Sequence, residues 1–278
     1  ALTMPLSQQG FGGGATSLFR GSSGGLYEFQ DATFTNDGKV GHQGPSLSEA
    51  RNGMSGTSHN NFKNNTTYFN VTNGQQYWMV PIDGTYRIEA AGAGMWNHRQ
   101  GGYGARMRGD FYLTQGEVIR ILVGQVGNTG GDAAGGSFVI KSPYNTNGSI
   151  LVIAGGGGGG HNNGFQSNSN ASTGNGGRQA TTPGNSGYGG SGGQGGGSDD
   201  SGAGGGFFGQ GYDGGGAGSG GWAYVSGGYG GSEPGSDSGG FGGGGTSGNS
   251  HGGGGGGYSG GGGSGGHPWH GGGGGSYN

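Results

Sequence analysis

The chain contains no cysteine, which excludes a disulfide framework, thiolate chemistry and cysteine-held zinc. Charge is scarce too. Only 9% of residues are charged and the net charge is -3, so there is no basic footprint for nucleic acid or anionic lipid. No apolar run is long enough to span a bilayer, and membrane insertion is not expected. The opening residues, Ala1 to Gly14, carry neither a basic segment nor an apolar block, so no signal-peptide pattern is visible. A small first residue fits a cytoplasmic product trimmed of its initiator methionine, with a processed secreted chain as the alternative. The 7 prolines are too few for collagen, and runs such as Gly155–Gly160 and Gly252–Gly257 break a three-residue glycine period. Aliphatic side chains all but disappear from the second half. After Ile153 the only Val, Ile, Leu or Met is Val225.

What fills that half is glycine: 60 of the 88 glycines lie after residue 150, broken by single aromatics such as Phe207, Tyr212, Trp222 and Trp269. A hydrophobic core cannot hold such a segment. Ordering each residue costs roughly 1–2 kcal/mol of backbone entropy, with glycine at the high end. A hydrogen bond returns about 0.5–1.5 kcal/mol net, and a close Cα–H···O contact ~0.5–1 kcal/mol. These terms balance only if nearly every strand is surrounded by others. Residues 155–278 are therefore either a disordered linker or a packed bundle of polyglycine-II helices, with three residues per turn and the non-glycine residues in loops at the two ends. HNNGFQSNSNAS (161–172), YVSGG and HPWH are the candidate tips.

Residues 27–154 have an ordinary β pattern. Thr67–Val71 and Gln76–Pro81 flank a turn at Thr72–Asn73–Gly74, and Asp83–Gly84 leads into TYRIEAAG, where Tyr86, Ile88 and Ala90 share one face. ARMRGDFYL and EVIRILVG divide at Gln115–Gly116, and SFVIK and SILVIAG flank Asn147–Gly148. Short strands with close turns predict an all-β, jelly-roll-like antiparallel sandwich. The segment LSEARN is the one helix candidate, with Ser46 as N-cap and Glu49 closing a capping box. Residues 1–26 have no clear periodicity and read as an attachment or capping leader. WAYV (222–225) is the one strand-like patch in the glycine zone.

QQYWMVPIDGTYRIEAAGAG, then GARMRGDFYLTQGEVIRILVGQVG, then ILVIAGGGGGG, together resemble the glycine-rich domain of the anaplastic lymphoma kinase receptor family and many bacterial and viral proteins. The resemblance covers roughly residues 27–278. It implies a jelly-roll-like module carrying an inserted polyglycine-II bundle. The glycine zone also resembles the adhesins at the tips of T-even-like phage tail fibres, where distal loops on such a bundle bind the host surface. The opening ALTMPLSQ…ATSLFRGS is similar to the leaders of marine phage structural proteins. The chain departs from the receptor family in lacking cysteine and in ending at GGGGGSYN, where the family adds a closing strand that a neighbouring subunit could supply.

Glycine makes many motifs appear by chance. G-x-G-x-x-G recurs without a βαβ context, and Gly189–Gly193 fits G-x-S-x-G without a strand–turn–helix. Arg108–Gly109–Asp110 falls within an expected strand. His267 and His270 would lie about 9 Å apart along a three-residue helix, too far for one metal ion. Asp199, Asp200, Asp213, Glu233 and Asp237 could offer oxygens to calcium, but read as solvated loop acids. No catalytic residue, cofactor or metal is expected. The rigid aromatic set Trp222, Tyr224, Tyr229, Trp269 and His270 suits glycan or protein recognition, or else caps the glycine lattice. The expected role is a non-enzymatic virion structural protein at the virion surface, in a tail or surface fibre. Its expected partners are other virion proteins or copies of itself in a homo-oligomer, a trimer being one form, and a host-surface glycan or protein. The alternative is an extracellular recognition or assembly domain of the receptor-like kind.

Overall fold

The computed structural model describes residues 2–7, 24–94, 101–160, 166–181, 187–216, 218–233, 238–248, 251–265 and 269–278. It is an all-β architecture of two antiparallel sheets. The strands are β1 (Leu2–Ser7), β2 (Asp31–Phe34), β3 (Phe69–Thr72), β4 (Gln75–Met79), β5 (Gly84–Ala91), β6 (Arg106–Leu113), β7 (Val118–Leu122), β8 (Ser137–Lys141) and β9 (Ile150–Ala154). The first sheet has the order β2-β1-β5-β6 and the second β3-β4-β7-β8-β9.

Local chemistry explains most of these elements. Asn73 and Gly74 both take positive φ (51° and 77°), which gives the two-residue hairpin that puts Thr72 opposite Gln75. In β5 the alternation turns Tyr86, Ile88 and Ala90 inward, each fully buried, as the sequence predicts. Ser46 and Glu49 close a capping box on the helix α1 (Leu47–Gly53). The core between the sheets is strongly aromatic: Trp78 lies 5.2 Å from Phe29, 5.7 Å from Tyr86 and 6.0 Å from Phe34, ring to ring.

β8 and β9 are buried on both faces. Val139 and Val152 belong to the core between the sheets, while Phe138, Ile140 and Ile153 face a second cluster built with Phe207, Tyr224, Phe241 and Tyr258. Their near-continuous apolar sequences, SFVIK and ILVIA, reflect this double burial.

Three segments take places that the sequence did not specify. The segment expected as a leader contributes β1, which lies between β2 and β5 with Leu2 opposite both Phe34 and Ala90. WAYV forms no strand; Tyr224–Ser226 is a 3-10 turn ended by Gly227 at φ 118°. The edge of β9 is met by Tyr277 of the same chain. Tyr277 and Ile153 exchange N–H···O bonds of 2.8 and 2.9 Å, and Asn278 Nδ2 donates to Arg108 O at 2.8 Å.

Beyond Ala154 the described residues form no helix or strand apart from two short 3-10 turns, Ser167–Ser169 and Tyr224–Ser226. Order comes from backbone hydrogen bonds that step by three. The N–H groups of Gly252, Gly255 and Tyr258 donate to the carbonyls of Trp269, Gly272 and Gly275. Those of Gly253 and Gly256 donate to Gly131 and Ala134, and those of Gly254 and Gly257 to Gly202 and Gly205. The same run accepts from Ser264 and Gly261, from Gly159 and Gly156, and from Gly245. Six segments thus surround one buried glycine run. They approach too closely for side chains: a Cβ on Gly204 would lie 2.0 Å from Gly255 O.

The array is not confined to the region after Ala154. The Gly92–Ala93 segment after β5 and the Gly102–Ala105 segment before β6 bond to it, with Gly157 N–H donating to Ala93 O and Gly102 N–H to Gly158 O. Between β7 and β8, Gln125 N–H donates to Phe241 O and Ala134 N–H to Gly157 O. Sandwich and array are therefore joined through three chain passages, and a boundary at residue 154 does not separate them.

Candidate functional site

The aromatic residues sort into two ends of the glycine array. At the base, against β7–β9, Tyr224 is 1% exposed and stacks between Phe138 (4.9 Å) and Phe207 (5.1 Å). Burial pushes its phenol well above the ordinary range. Arg120 lies over Tyr144 at 4.1 Å and Tyr77 at 5.3 Å, which closes this layer with cation–π contacts. Tyr258 packs on Tyr277 at 4.6 Å and donates its hydroxyl to Asn147 Oδ1 at 3.0 Å. These rings are pegs that fix the turns of the array to the outer face of the sheet.

Trp222 and Tyr229 stand beside this base. Their rings meet edge to face at 5.6 Å, and Tyr229 lies 6.1 Å from Phe241. Trp222 is 45% exposed, while Tyr229 is half-buried. Both belong to the sequence-selected aromatics, and here they touch.

The opposite end lies across the length of the Gly252–Gly257 run. There Trp269 is partly exposed, with φ at 63°, and its ring centroid is 6.4 Å from that of His251. His251 Nδ1 lies 3.4 Å from Asp200 Oδ2. His270 is fully buried. Tyr224 and His270 are thus buried in the packing rather than set on the surface. His267, Asp237 and residues 161–165 of the first candidate tip lie outside the described residues, and the rest of that tip holds a 3-10 turn with Ser169 buried.

Sequence reasoning missed the residue that ties this end together. Asp132 is fully buried, and its carboxylate accepts from Thr129 N–H (3.0 Å), Thr129 Oγ1 (2.9 Å), Ser238 N–H (3.3 Å), Ser247 N–H (2.8 Å) and Ser247 Oγ (3.1 Å). One carboxylate thereby holds three separate turns. Only its place amid glycine, GGDAAGG, hints at it. The neighbouring acids do similar work: Asp213 Oδ1 accepts from Gly220 N–H at 2.8 Å, and Glu233 Oε1 from the Ser219 hydroxyl at 2.6 Å. Among the described residues no three His, Cys, Asp or Glu side chains gather as metal ligands, and no helix is long and apolar enough to cross a membrane. Arg108–Gly109–Asp110 lies on β6, and Arg87 grips Asp110 with two bonds of 2.8 and 2.9 Å, which holds that carboxyl below its usual range.

No protein-family model matches the chain, and no curated protein matches it.

Proposed function

We propose that the chain is a non-enzymatic virion structural protein, a component of a phage tail fibre or surface fibre. In this reading the sandwich is a jelly-roll-like module and the glycine array a bundle of polyglycine-II helices. The module docks to other virion proteins or to copies of the same chain, and the far end of the bundle meets a host-surface glycan or protein.

The observation that carries this reading is the step of three in the hydrogen bonds of Gly252–Tyr258. A three-residue turn sends successive N–H groups in three directions, so a helix of that kind can bond to neighbours all round. Such a lattice is rigid without an apolar core. Rigidity matters for recognition, because loops held by a fixed frame lose less entropy on binding. Trp269 and His251, set at the end remote from the sheets, are the described aromatic groups best placed for that contact.

Immunogold electron microscopy of purified particles tests the assignment, with label expected on the fibres. Particles that contain the chain but carry gold elsewhere, or none, would overturn it. Replacement of Trp269 by Ala is expected to weaken whole-cell binding about tenfold, ~1.4 kcal/mol, whereas Tyr112→Ala on β6 leaves it unchanged. Equal binding by all three proteins would remove the far end from the contact.

A further inference from the structure

The β module carries a cleft that the glycine array does not share. It has a volume of about 530 Å³ and is lined by Leu47, Ser48, Arg51, Asn52, Lys63 and Asn64. That volume falls within the ~300–1,000 Å³ typical of small-ligand sites. Two of the six residues are cationic and none is acidic.

The two cations are held together by main-chain contacts. Arg51, in the last turn of α1, donates its Nε to Lys63 O at 2.7 Å, and Lys63 Nζ lies 3.5 Å from Arg51 O. The nearest carboxylate in sequence, Glu49, is already taken by Lys39 at 2.9 Å and by Ser46 N–H at 2.6 Å. Among the described residues neither Arg51 nor Lys63 forms an ion pair. Among the described residues Arg51 Nη2, sealed from solvent, finds no acceptor. A charged donor left without an acceptor is costly, and a second positive charge beside it adds to the cost. An anion in the cleft would offset the paired positive charge.

We infer that the cleft binds an acidic sugar through its carboxylate. Arg51 contributes positive charge at the cleft wall, and Lys63 adds a point charge beside it. The remaining lining groups suit a polyhydroxylated ring: the hydroxyl of Ser48 and the amides of Asn52 and Asn64 offer hydrogen bonds, and Leu47 offers an apolar face. A free phosphate would use the cations and leave these groups idle. The site is independent of the reading of the glycine array, and either can fail without the other.

The test is a titration of the ¹⁵N-labelled full chain with D-glucuronate, with D-glucose and inorganic phosphate as comparison ligands. Glucuronate is expected to shift the amide signals of residues 47–52 and 63–64, more weakly as salt rises. Lys63→Met is expected to lower its affinity at least tenfold, and Lys63→Arg to restore it to within about threefold. Arg51→Met is expected to abolish binding; because Arg51 also braces the chain at Lys63, the Lys63 pair decides the matter if that variant misfolds. The inference is overturned if glucose binds as well as glucuronate, if phosphate binds as tightly as the sugar acid, or if these amides do not respond.

Discussion

Gly255 shows why this chain spends so many residues on glycine. A Cβ there would lie 2.3 Å from Gly156 O and 3.0 Å from the Gly156 and Gly157 carbonyl carbons, all of them backbone. Backbone that is bonded on every side cannot shift to admit a methyl group. Gly255→Ala is therefore expected to destabilise the protein by about 1–3 kcal/mol or more, the cost of overpacking a filled interior. At Gly148, between β8 and β9, nothing lies within 4 Å of the added Cβ, and Gly148→Ala is expected to stay within about 0.5 kcal/mol of the parent. Unfolding midpoints in urea compare the two, and equal midpoints would mean that the array is not packed as described. The composition makes the need for close packing legible, because no side-chain core is available to residues that have none. It does not single out Asp132, since a lone acid among glycines looks like any solvated loop residue until three turns are seen to converge on it.

Among the elements, α1 is the one whose sequence signal and structure agree most closely. Ser46 Oγ accepts from Glu49 N–H at 3.3 Å, and Glu49 Oε2 accepts from Ser46 N–H at 2.6 Å. Ser46→Ala is expected to cost about 1 kcal/mol, as N-cap removal does. The Ser46 N–H, and after it Lys39, hold the Glu49 carboxyl at about 2, below its ordinary 4.5. The folded value is the depressed one, so the added stability is fully present above pH 4.5 and is lost as the pH falls toward 2. With a side chain 39% exposed, the effect is held below about 1 kcal/mol by solvent screening. Acid titration of the unfolding midpoint should show this slope in the parent and lose it in Glu49→Gln; an unchanged slope would point to other carboxylates. The strands were legible wherever alternation met a turn residue, as in β5 and at Asn73–Gly74. β1 was not, because Pro5 interrupts a six-residue run and proline argues against a central strand. In the structure Pro5 faces Asp31 of β2, while the pairing with β5 skips from Thr3 to Leu6, so the missing N–H falls in a gap of the ladder. WAYV misled in the opposite sense: its rings supply burial at a glycine turn and make no ladder.

At the scale of the whole molecule, the sequence suggests a leader, a β zone and a glycine zone, but the hydrogen bonds join the last two into one unit. The connections between β5 and β6 and between β7 and β8 run into the array, and Phe207, Tyr224, Phe241 and Tyr258 dock its base on β7–β9. The sequence could place aromatics beside glycine runs without telling base from far end, because that depends on which way each run travels. The packing implies an unusual thermodynamic signature. Heat capacity rises on unfolding when apolar surface is exposed and falls when amide surface is exposed. The sandwich is ordinary in this respect, but the array from Gly155 onward hides mostly peptide groups, with one aliphatic residue beyond alanine, Val225, itself 40% exposed. Calorimetry of the full chain is therefore expected to show a single transition, with calorimetric and van't Hoff enthalpies equal. The heat-capacity change is expected to fall below about 10 cal/mol/K per residue, against ~12–15 for ordinary globular domains. Two resolved transitions would mean that the aromatic pegs do not couple array to sheet. A single transition with an ordinary heat-capacity change would mean that apolar burial, rather than peptide hydrogen bonding, holds the array.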